Sequence, residues 1–283
     1  MTSLTRRRPR KALEGGDVIV AAAAAIVAVV GIAALLGPEV FGLNPSHQNL
    51  LAIYSGPSRN AWLGTDGLGR DVLARVIEGA RSAFIGPLIV AFGTAAFAAL
   101  LGLLAGYFGG SLDWWIGKWI EFMIAVPTLL KVIVIVGIAG GGPVLAWGLL
   151  ILFSAPYDAR VIRGAVLQQR ARPYVEAARV TGLSDVRIMF GHILPAVVPQ
   201  LMVLTFMNFS WALVKLSSLS FLGIGGSPGD ADWGRMLAEN RTYVGVNPWA
   251  AVAPGLALAL ISAAMSLIGD RLNERFNDTG RDE

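Results

Sequence analysis

The stretch Gly225–Gly229 matches the Gly-x-Ser-x-Gly pattern of serine hydrolases, with Ser227 in the position of the nucleophile. A hydrolase of that kind needs a strand-turn-helix elbow and a histidine within reach of the serine. Here Pro228 follows the serine, the surrounding sequence favours no strand, and His192 lies on the opposite side of the predicted topology. We therefore expect the match to be fortuitous in a glycine-rich loop.

Other catalytic chemistries also lack their residues. The sequence has no cysteine, which excludes disulfides, thiolate nucleophiles and cysteine metal sites, and its two histidines leave little for a histidine metal site. Asp158 and Asp230 could suggest a pair of carboxylates that share a proton, but the predicted topology places them on opposite sides. No phosphate-binding Gly-x-x-x-x-Gly-Lys-Ser/Thr sequence occurs. We expect no catalytic residue, no metal site and no cofactor in this chain.

The composition indicates a membrane protein. Hydrophobic residues make up 55% of the 283 residues and charged residues only 15%, against roughly 25% in soluble domains. A helix needs about 20 apolar residues to cross the bilayer core. Six apolar segments, all but one of them 20 residues or longer, predict an all-α transmembrane fold with spans at 17–36, 82–108, 115–138, 143–157, 196–223 and 249–269. We interpret the first span as an uncleaved anchor and not as a signal peptide.

The distribution of basic residues predicts the orientation. Of the 23 lysines and arginines, 15 fall in segments that are cytoplasmic if the N-terminus is inside, and six fall in the outer segments. This positive-inside bias predicts that both termini are cytoplasmic. The basic residues are spread along loops, so we expect no nucleic-acid binding. The predicted organisation is a cytoplasmic basic tail (1–16), a membrane domain (17–275) and a cytoplasmic C-terminal tail (276–283). Within the membrane domain we expect two outer segments (37–81 and 226–248) and one cytoplasmic loop (158–195).

The outer segment before the second span ends in an amphipathic stretch. If this stretch is helical, one face carries the apolar residues Val72, Leu73, Val76, Ile77 and Ala80. The charged residues Asp71, Arg75 and Glu78 face away from it. The pattern predicts a helix that lies at the membrane interface and leads into the second span. A short solvated helix packed on neighbouring loops fits the pattern equally well.

The cytoplasmic loop predicts a helix-turn-helix. Pro173 suits the first turn of a helix, and Gly182 stands where a helix commonly ends in a left-handed residue. Ser184 and Asp185 then begin a second helix as its cap and acidic first turn. The pair Leu194-Pro195 closes the unit as the chain re-enters the membrane. Because the residues around the turn are small, another protein surface can approach the backbone closely.

The spacing of Glu176-Ala177-Ala178, Gly182, His192 and Leu194-Pro195 resembles the EAA loop of ABC-importer permeases, with histidine where isoleucine is usual. In that family the loop fits a groove on the ATPase and couples nucleotide-driven closure to the membrane helices. The alternative is a hairpin that packs only against its own bundle. The resemblance implies these ATPase-coupling residues: Tyr174, Glu176, Ala177, Ala178, Gly182, Leu183, Ser184, Leu194 and Pro195.

Other stretches resemble the C-type subunit of the dipeptide/oligopeptide/nickel permeases over about residues 17–275. They include the Leu-Gly-Thr-Asp-x-Leu-Gly-Arg-Asp-Val-Leu run at 63–73 and the Leu-Ser-Phe-Leu-Gly run at 219–223. Leu216, preceded by Lys215, departs from the family, which has an acidic residue there, and the usual Asp-Pro near the C-terminus is missing. The resemblance implies a six-helix type I permease fold with cytoplasmic coupling helices.

The resemblance also implies partners. They are a homologous B-type permease in a heterodimer, two ATPase subunits or one tandem ATPase holding ATP and Mg²⁺, an extracytoplasmic solute-binding protein docking on the outer segments, and the lipid bilayer. The implied solute is a short peptide, with nickel, glutathione and haem as alternatives within the family.

Two lysines fall inside predicted spans. A charge at the bilayer centre costs about 2.5–3.5 kcal/mol on insertion scales, so Lys131 and Lys215 are candidates to line a path for a peptide carboxylate. The alternatives are pairing with a partner subunit or snorkelling, toward the outside in the case of Lys215. A rival function, ion-coupled secondary transport, predicts acidic residues inside the spans. Glu121 is the only one well inside a predicted span.

Overall fold

The computed structural model describes residues 10–224 and 229–279, and the side chains of 18–224 and 229–276. Most of the basic tail and of the Gly-x-Ser-x-Gly pattern lies outside the described residues. The described chain is helical, in the order α1 (Arg10–Leu36), α2 (Val72–Phe108), α3 (Gly110–Ile124), α4 (Thr128–Ala139), α5 (Pro143–Arg170), α6 (Pro173–Val180), α7 (Asp185–Ile188), α8 (Leu194–Phe221), α9 (Trp233–Asn240) and α10 (Trp249–Thr279).

Five of these helical segments are long and apolar enough to cross a membrane, and α3 with α4, which meet at a bend of 77°, count as a sixth span when the bent pair is taken as one. The bend falls before Pro127, which has no N–H to continue the helix. The all-α, six-span prediction is therefore confirmed, with a broken third span in place of a continuous one.

The bundle has two structurally different ends. Helix α2 runs from one end to the other, and we call the end that carries α6 and α7 the hairpin face. The opposite end, formed by residues 37–71 and α9, is called the cap face. With six spans, α1 begins and α10 ends at the hairpin face, so both ends of the described chain lie on the same side.

The prediction of an interfacial helix before the second span is wrong. Residues 72–81 are the first turns of α2 itself, which continues without a break to Phe108. The carboxylate of Asp71 caps this helix by accepting from the Leu73 and Ala74 amides at 2.7 and 3.1 Å. Arg75, expected to face outward, is only 1% exposed because acidic partners distant in sequence surround it.

Those partners form a buried ion cluster at the cap face. Asp66 accepts from Nε of Arg70 at 2.8 Å, and its Oδ2 lies 3.6 Å from Nη1 of Arg75. Glu239 of α9 lies 3.3 Å from Nη2 of Arg70 and 3.6 Å from Nη2 of Arg75. Trp233 adds a hydrogen bond from Nε1 to the Val76 carbonyl at 2.8 Å. The run at 63–73 therefore joins the start of α2 to α9.

Helices α2 and α5 form the centre of the bundle because glycines let them approach closely. A Cβ added at Gly102 would lie 2.7 Å from the Ile162 side chain, and one at Gly106 would lie 2.7 Å from Val166. Helix α5 continues to Arg170, beyond the expected end of the fourth span at Tyr157. Residues 158–170, expected in the cytoplasmic loop, are therefore part of a helix packed on α2.

Candidate functional site

The loop between α5 and α8 folds as the predicted hairpin. Helix α6 begins at Pro173 and ends in a left-handed Gly182 with φ +79°. The Gly182 amide donates to the Arg179 carbonyl at 2.9 Å, and the Leu183 amide donates to the Ala178 carbonyl at 3.2 Å. These two bonds make a Schellman motif, which supplies partners for carbonyls that the end of the helix would leave free. Gly182 therefore has the conformation that the sequence predicts.

The second half of the hairpin differs from the prediction in two respects. Ser184 occupies the N-cap position of α7, but its side chain makes no capping hydrogen bond within the described chain. The expected break at Leu194-Pro195 is also absent, because a π turn at Met189–Ile193 carries α7 directly into α8. Since Pro195 has no N–H to donate to Gly191, the helix passes this point in the wider π geometry. Asp185–Phe221 is consequently one helical segment of 37 residues.

One side of the hairpin is buried against the bundle. Val175 and Ile188 are 0% exposed, and Ala178 is 7% exposed. They belong to an apolar cluster that also contains Leu103 of α2 and Ile162 of α5. Leu183 and Leu194 are partly buried against the same cluster. The hairpin is thus fixed to the ends of two central helices.

The other side of the hairpin is open and partly apolar. Val180 is 84% exposed and Val186 is 62% exposed. Glu176, Ala177 and the first-turn proline of α8, Pro195, are also exposed. Tyr174 is 39% exposed, and burial raises the pKa of its hydroxyl. A small apolar surface with one carboxylate at its edge is what a protein partner can cover.

A polar contact ties the hairpin to α2. The hydroxyl of Tyr107, in the last turn of α2, donates to Oδ1 of Asp185 at 2.5 Å. The guanidinium carbon of Arg179 lies 5.2 Å from the centre of the same ring. Tyr107 is only 2% exposed, whereas Asp185 is exposed, so this contact is partly buried. We call Tyr107, Arg179 and Asp185 the latch.

The two intramembrane lysines have different environments. The ammonium of Lys131 donates to the Met123 carbonyl and lies 4.4 Å from the centre of the Phe153 ring. Because residue 127 is proline, the Met123 carbonyl has no i+4 amide donor, and Lys131 takes the place of that donor. Lys131 therefore stabilises the bend of the third span. Lys215 donates to Oγ of Ser154 at 3.2 Å.

The Lys215 contact argues against the alternative that this residue snorkels to the outside. Lys215 lies on α8 six residues before its cap-face end, whereas Ser154 lies eleven residues into α5 from the same face. The ammonium therefore extends toward the middle of the bundle and away from the cap face. A lysine side chain on a helix leans toward the helix N-terminus, which for α8 is the hairpin face.

Asp158 is a buried acidic residue of α5, although the sequence predicts that it lies in the cytoplasmic loop. It lies on α5 at 9% exposure, and its Oδ2 accepts from Nδ2 of Asn208 at 2.5 Å. Glu121 lies on α3, in the broken third span, and pairs at 2.8 Å with Lys118 on the exposed surface of that helix. No local signal in the sequence indicates that Asp158 is buried, because its partner Asn208 is 50 residues away. Its position inside the bundle follows only from the full length of α5.

No group of three or more histidine, cysteine, aspartate or glutamate side chains in residues 10–224 and 229–279 could hold a metal ion. The candidate site is the open side of the hairpin, and buried polar side chains lie deeper in the bundle.

Comparisons with known proteins agree on one family. Residues 98–278 match the model described as binding-protein-dependent transport system inner membrane component. The dipeptide transport system permease protein DppC of Haemophilus influenzae is 35% identical over 254 residues, which are 88% of this chain and 86% of that protein. DppC of Alkalihalophilus pseudofirmus is 32% identical over 82% of this chain and 74% of its own. The glutathione transport system permease protein GsiD of Pectobacterium atrosepticum is 36% identical over 77% of this chain and 73% of its own.

Proposed function

Because the chain belongs to the family of binding-protein-dependent transport system inner membrane components, we propose that it carries short peptides inward as one permease subunit of an ATP-driven importer. The chain is a multi-pass membrane protein with a bundle of apolar helices. In the proposed orientation the hairpin face and both termini are cytoplasmic, and the cap face is outside. The excess of basic residues in segments of the hairpin face supports this orientation.

The observation that carries the proposal is the two-sided hairpin. Its inner side is fixed to α2 and α5, and its outer side exposes Val180, Ala177 and Glu176. An ATPase subunit that covers the outer side would move the hairpin when it binds and hydrolyses ATP with Mg²⁺. This chain would supply the docking surface, and the partner would supply the nucleotide site.

Two connections would transmit that movement into the membrane. The latch joins the hairpin to α2, and the unbroken helix from Asp185 to Phe221 joins it to the cap face. Because the backbone stays helical from Asp185 to Phe221, through the π turn at Met189–Ile193, a displacement of α7 would be passed on to α8. The proposed result is alternating access driven from the cytoplasmic side.

The cap face is the proposed docking site of the solute-binding protein. Leu51 is 99% exposed and Trp62 is 72% exposed there, and the ion cluster beneath them holds the loops in place. A homologous B-type permease would complete the pathway as the second half of a heterodimer. The names of the relatives, which refer to dipeptide and glutathione transport, support a small peptide as the solute over nickel or haem.

Reconstitution of the whole complex tests the proposed function. The chain would be purified with its B-type partner and ATPase, inserted into liposomes with ATP inside, and supplied with labelled dipeptide and binding protein outside. We expect uptake that requires ATP and the binding protein and continues when a protonophore collapses the proton gradient. Uptake that requires the gradient and no ATP would instead show ion-coupled secondary transport.

The latch yields a prediction about coupling. We expect Tyr107→Phe to reduce the stimulation of ATPase activity by loaded binding protein by about fivefold while the complex still assembles. A hydrogen bond to a charged group contributes about 1.5–3 kcal/mol, and part exposure of Asp185 lowers that figure here. ATPase assays with and without loaded binding protein measure the ratio.

Tyr157→Phe is the matched control, because the Tyr157 side chain is half exposed and makes no hydrogen bond to the rest of the described chain. Equal stimulation ratios in Tyr107→Phe and the wild type would show that the latch does not contribute to coupling.

A further inference from the structure

Four polar side chains from two neighbouring helices meet inside the bundle, and we call them the polar cluster. Ser154 and Asp158 lie on α5, and Asn208 and Lys215 lie on α8. Lys215 donates to Ser154 at 3.2 Å, and Asn208 donates to Asp158 at 2.5 Å. Ser154 is eleven residues from the cap-face end of α5, or about 16 Å along the helix axis. The cluster therefore lies near the middle of a hydrocarbon core of about 30 Å.

The two opposite charges of the cluster attract each other but form no salt bridge within the described chain. Each charge is instead held by a neutral partner, the ammonium by a hydroxyl and the carboxylate by an amide. An ammonium has three donors, and Lys215 uses one of them. The Asp158 carboxylate uses one of its oxygens, Oδ2, in the hydrogen bonds of the described residues. Both charged groups therefore have hydrogen-bonding capacity that the described residues leave unused.

A cavity of about 410 Å³ opens between α2, α5, α8 and α9 on the cap-face side of this cluster. Its lining includes Leu216, which follows Lys215, and Leu219, which lies one turn farther along α8. Trp147, two turns before Ser154 on α5, lines it as well. The cavity therefore lies between the cap face and the polar cluster, whose four side chains are not part of its lining.

We infer that the polar cluster recognises a small solute that carries both a free ammonium and a free carboxylate, with Lys215 pairing with the carboxylate and Asp158 with the ammonium. The inference rests on the proposed function, because it assigns a step on the solute's path. Charged residues at mid-membrane are costly, and a ligand that bridges two unpaired charges satisfies both at once. A free dipeptide or glutathione has both groups, whereas a nickel ion and haem lack the ammonium.

Direct binding to the purified permease–ATPase complex, without binding protein, tests this inference. The probes are labelled Ala-Ala, its N-acetyl derivative and its C-terminal amide, each at millimolar concentration. We expect the wild-type complex to bind Ala-Ala about tenfold more tightly than either blocked form. Asp158→Asn should remove the preference over the N-acetyl form only, and Lys215→Met should remove the preference over the amide only.

Lys131→Met is the matched control, because it removes an intramembrane lysine whose ammonium serves the bend of the third span. It should keep both preferences. Monodisperse elution of each variant with the ATPase shows that it is folded.

Two results would overturn the inference. One is that wild-type complex binds no Ala-Ala. The other is that Asp158→Asn and Lys215→Met keep both preferences and lose only thermal stability, which would make the cluster a structural tie between α5 and α8. ATP-driven uptake by the wild-type complex, measured in parallel, separates these outcomes from failure of the proposed function, since uptake would persist in both.

Discussion

Gly182→Trp is expected to abolish the stimulation of ATPase activity by loaded binding protein while the permease itself remains folded. A Cβ at Gly182 would meet no other atom within 4 Å, so the bundle has room for a side chain. The indole would project from the turn of the hairpin into the space that the ATPase is proposed to occupy. Monodisperse elution of the detergent-solubilised variant tests whether the permease is folded. ATPase assays of the assembled complex, with and without loaded binding protein, measure the loss of stimulation.

Gly182→Ala separates backbone strain from steric exclusion. The φ of +79° disfavours any residue with a Cβ, at a cost of roughly 1–2 kcal/mol, and this cost applies to alanine and tryptophan alike. We expect Gly182→Ala to keep most of the stimulation. If tryptophan also leaves stimulation at the wild-type level, the hairpin is not the coupling surface.

Asp66→Asn is expected to destabilise the cap face strongly. The substitution preserves shape but removes the negative charge next to Arg70 and Arg75, which are 5% and 1% exposed. Loss of one partner from a buried ion pair costs about 3–5 kcal/mol, because the remaining charges stay buried. Glu239, at 31% exposure, would be left as the only acidic partner of both arginines among the described residues. A fall in the midpoint of thermal unfolding on the order of 10 °C is expected.

Asp71→Asn, in the same sequence motif, is the control for this prediction. Asp71 caps α2, and asparagine caps a helix about as well as aspartate does, so its loss of charge should shift the midpoint very little. Equal shifts for the two variants, measured on the detergent-solubilised protein, would show that the buried ion cluster is not what holds the cap face together.

The sequence predicts a structural feature correctly where that feature depends on residues that are close together in the chain. Apolar runs predict the spans, and the Pro173 to Gly182 spacing predicts α6 and its left-handed end. Each of these features depends on residues within one or two turns of each other. The same holds for the resemblance in the hairpin, whose motif lies in a single segment.

Several of the errors involve contacts that are distant in sequence or elements that are longer than expected. Arg75 seemed to face solvent because its partner Glu239 is more than 160 residues away. Asp158 seemed to lie in a loop because a helix that leaves the bilayer can continue as a polar helix without a break. The Lys215 ammonium points toward Ser154 because of the way α8 is rotated about its axis against α5. The hydrophobic pattern of the sequence does not determine that rotation accurately enough to predict this contact.

Site-specific cross-linking tests the central claim, that the open side of the hairpin docks on an ATPase. The sequence has no cysteine, so a single introduced thiol is the only one in this chain. Ala177 and Ala178 are adjacent on α6, but Ala177 is exposed and Ala178 is buried against the bundle. Ala177→Cys should cross-link to the ATPase subunit in the assembled complex, and Ala178→Cys should not. An absence of cross-links from Ala177→Cys and from Val180→Cys, in complexes that hydrolyse ATP normally, would contradict the claim.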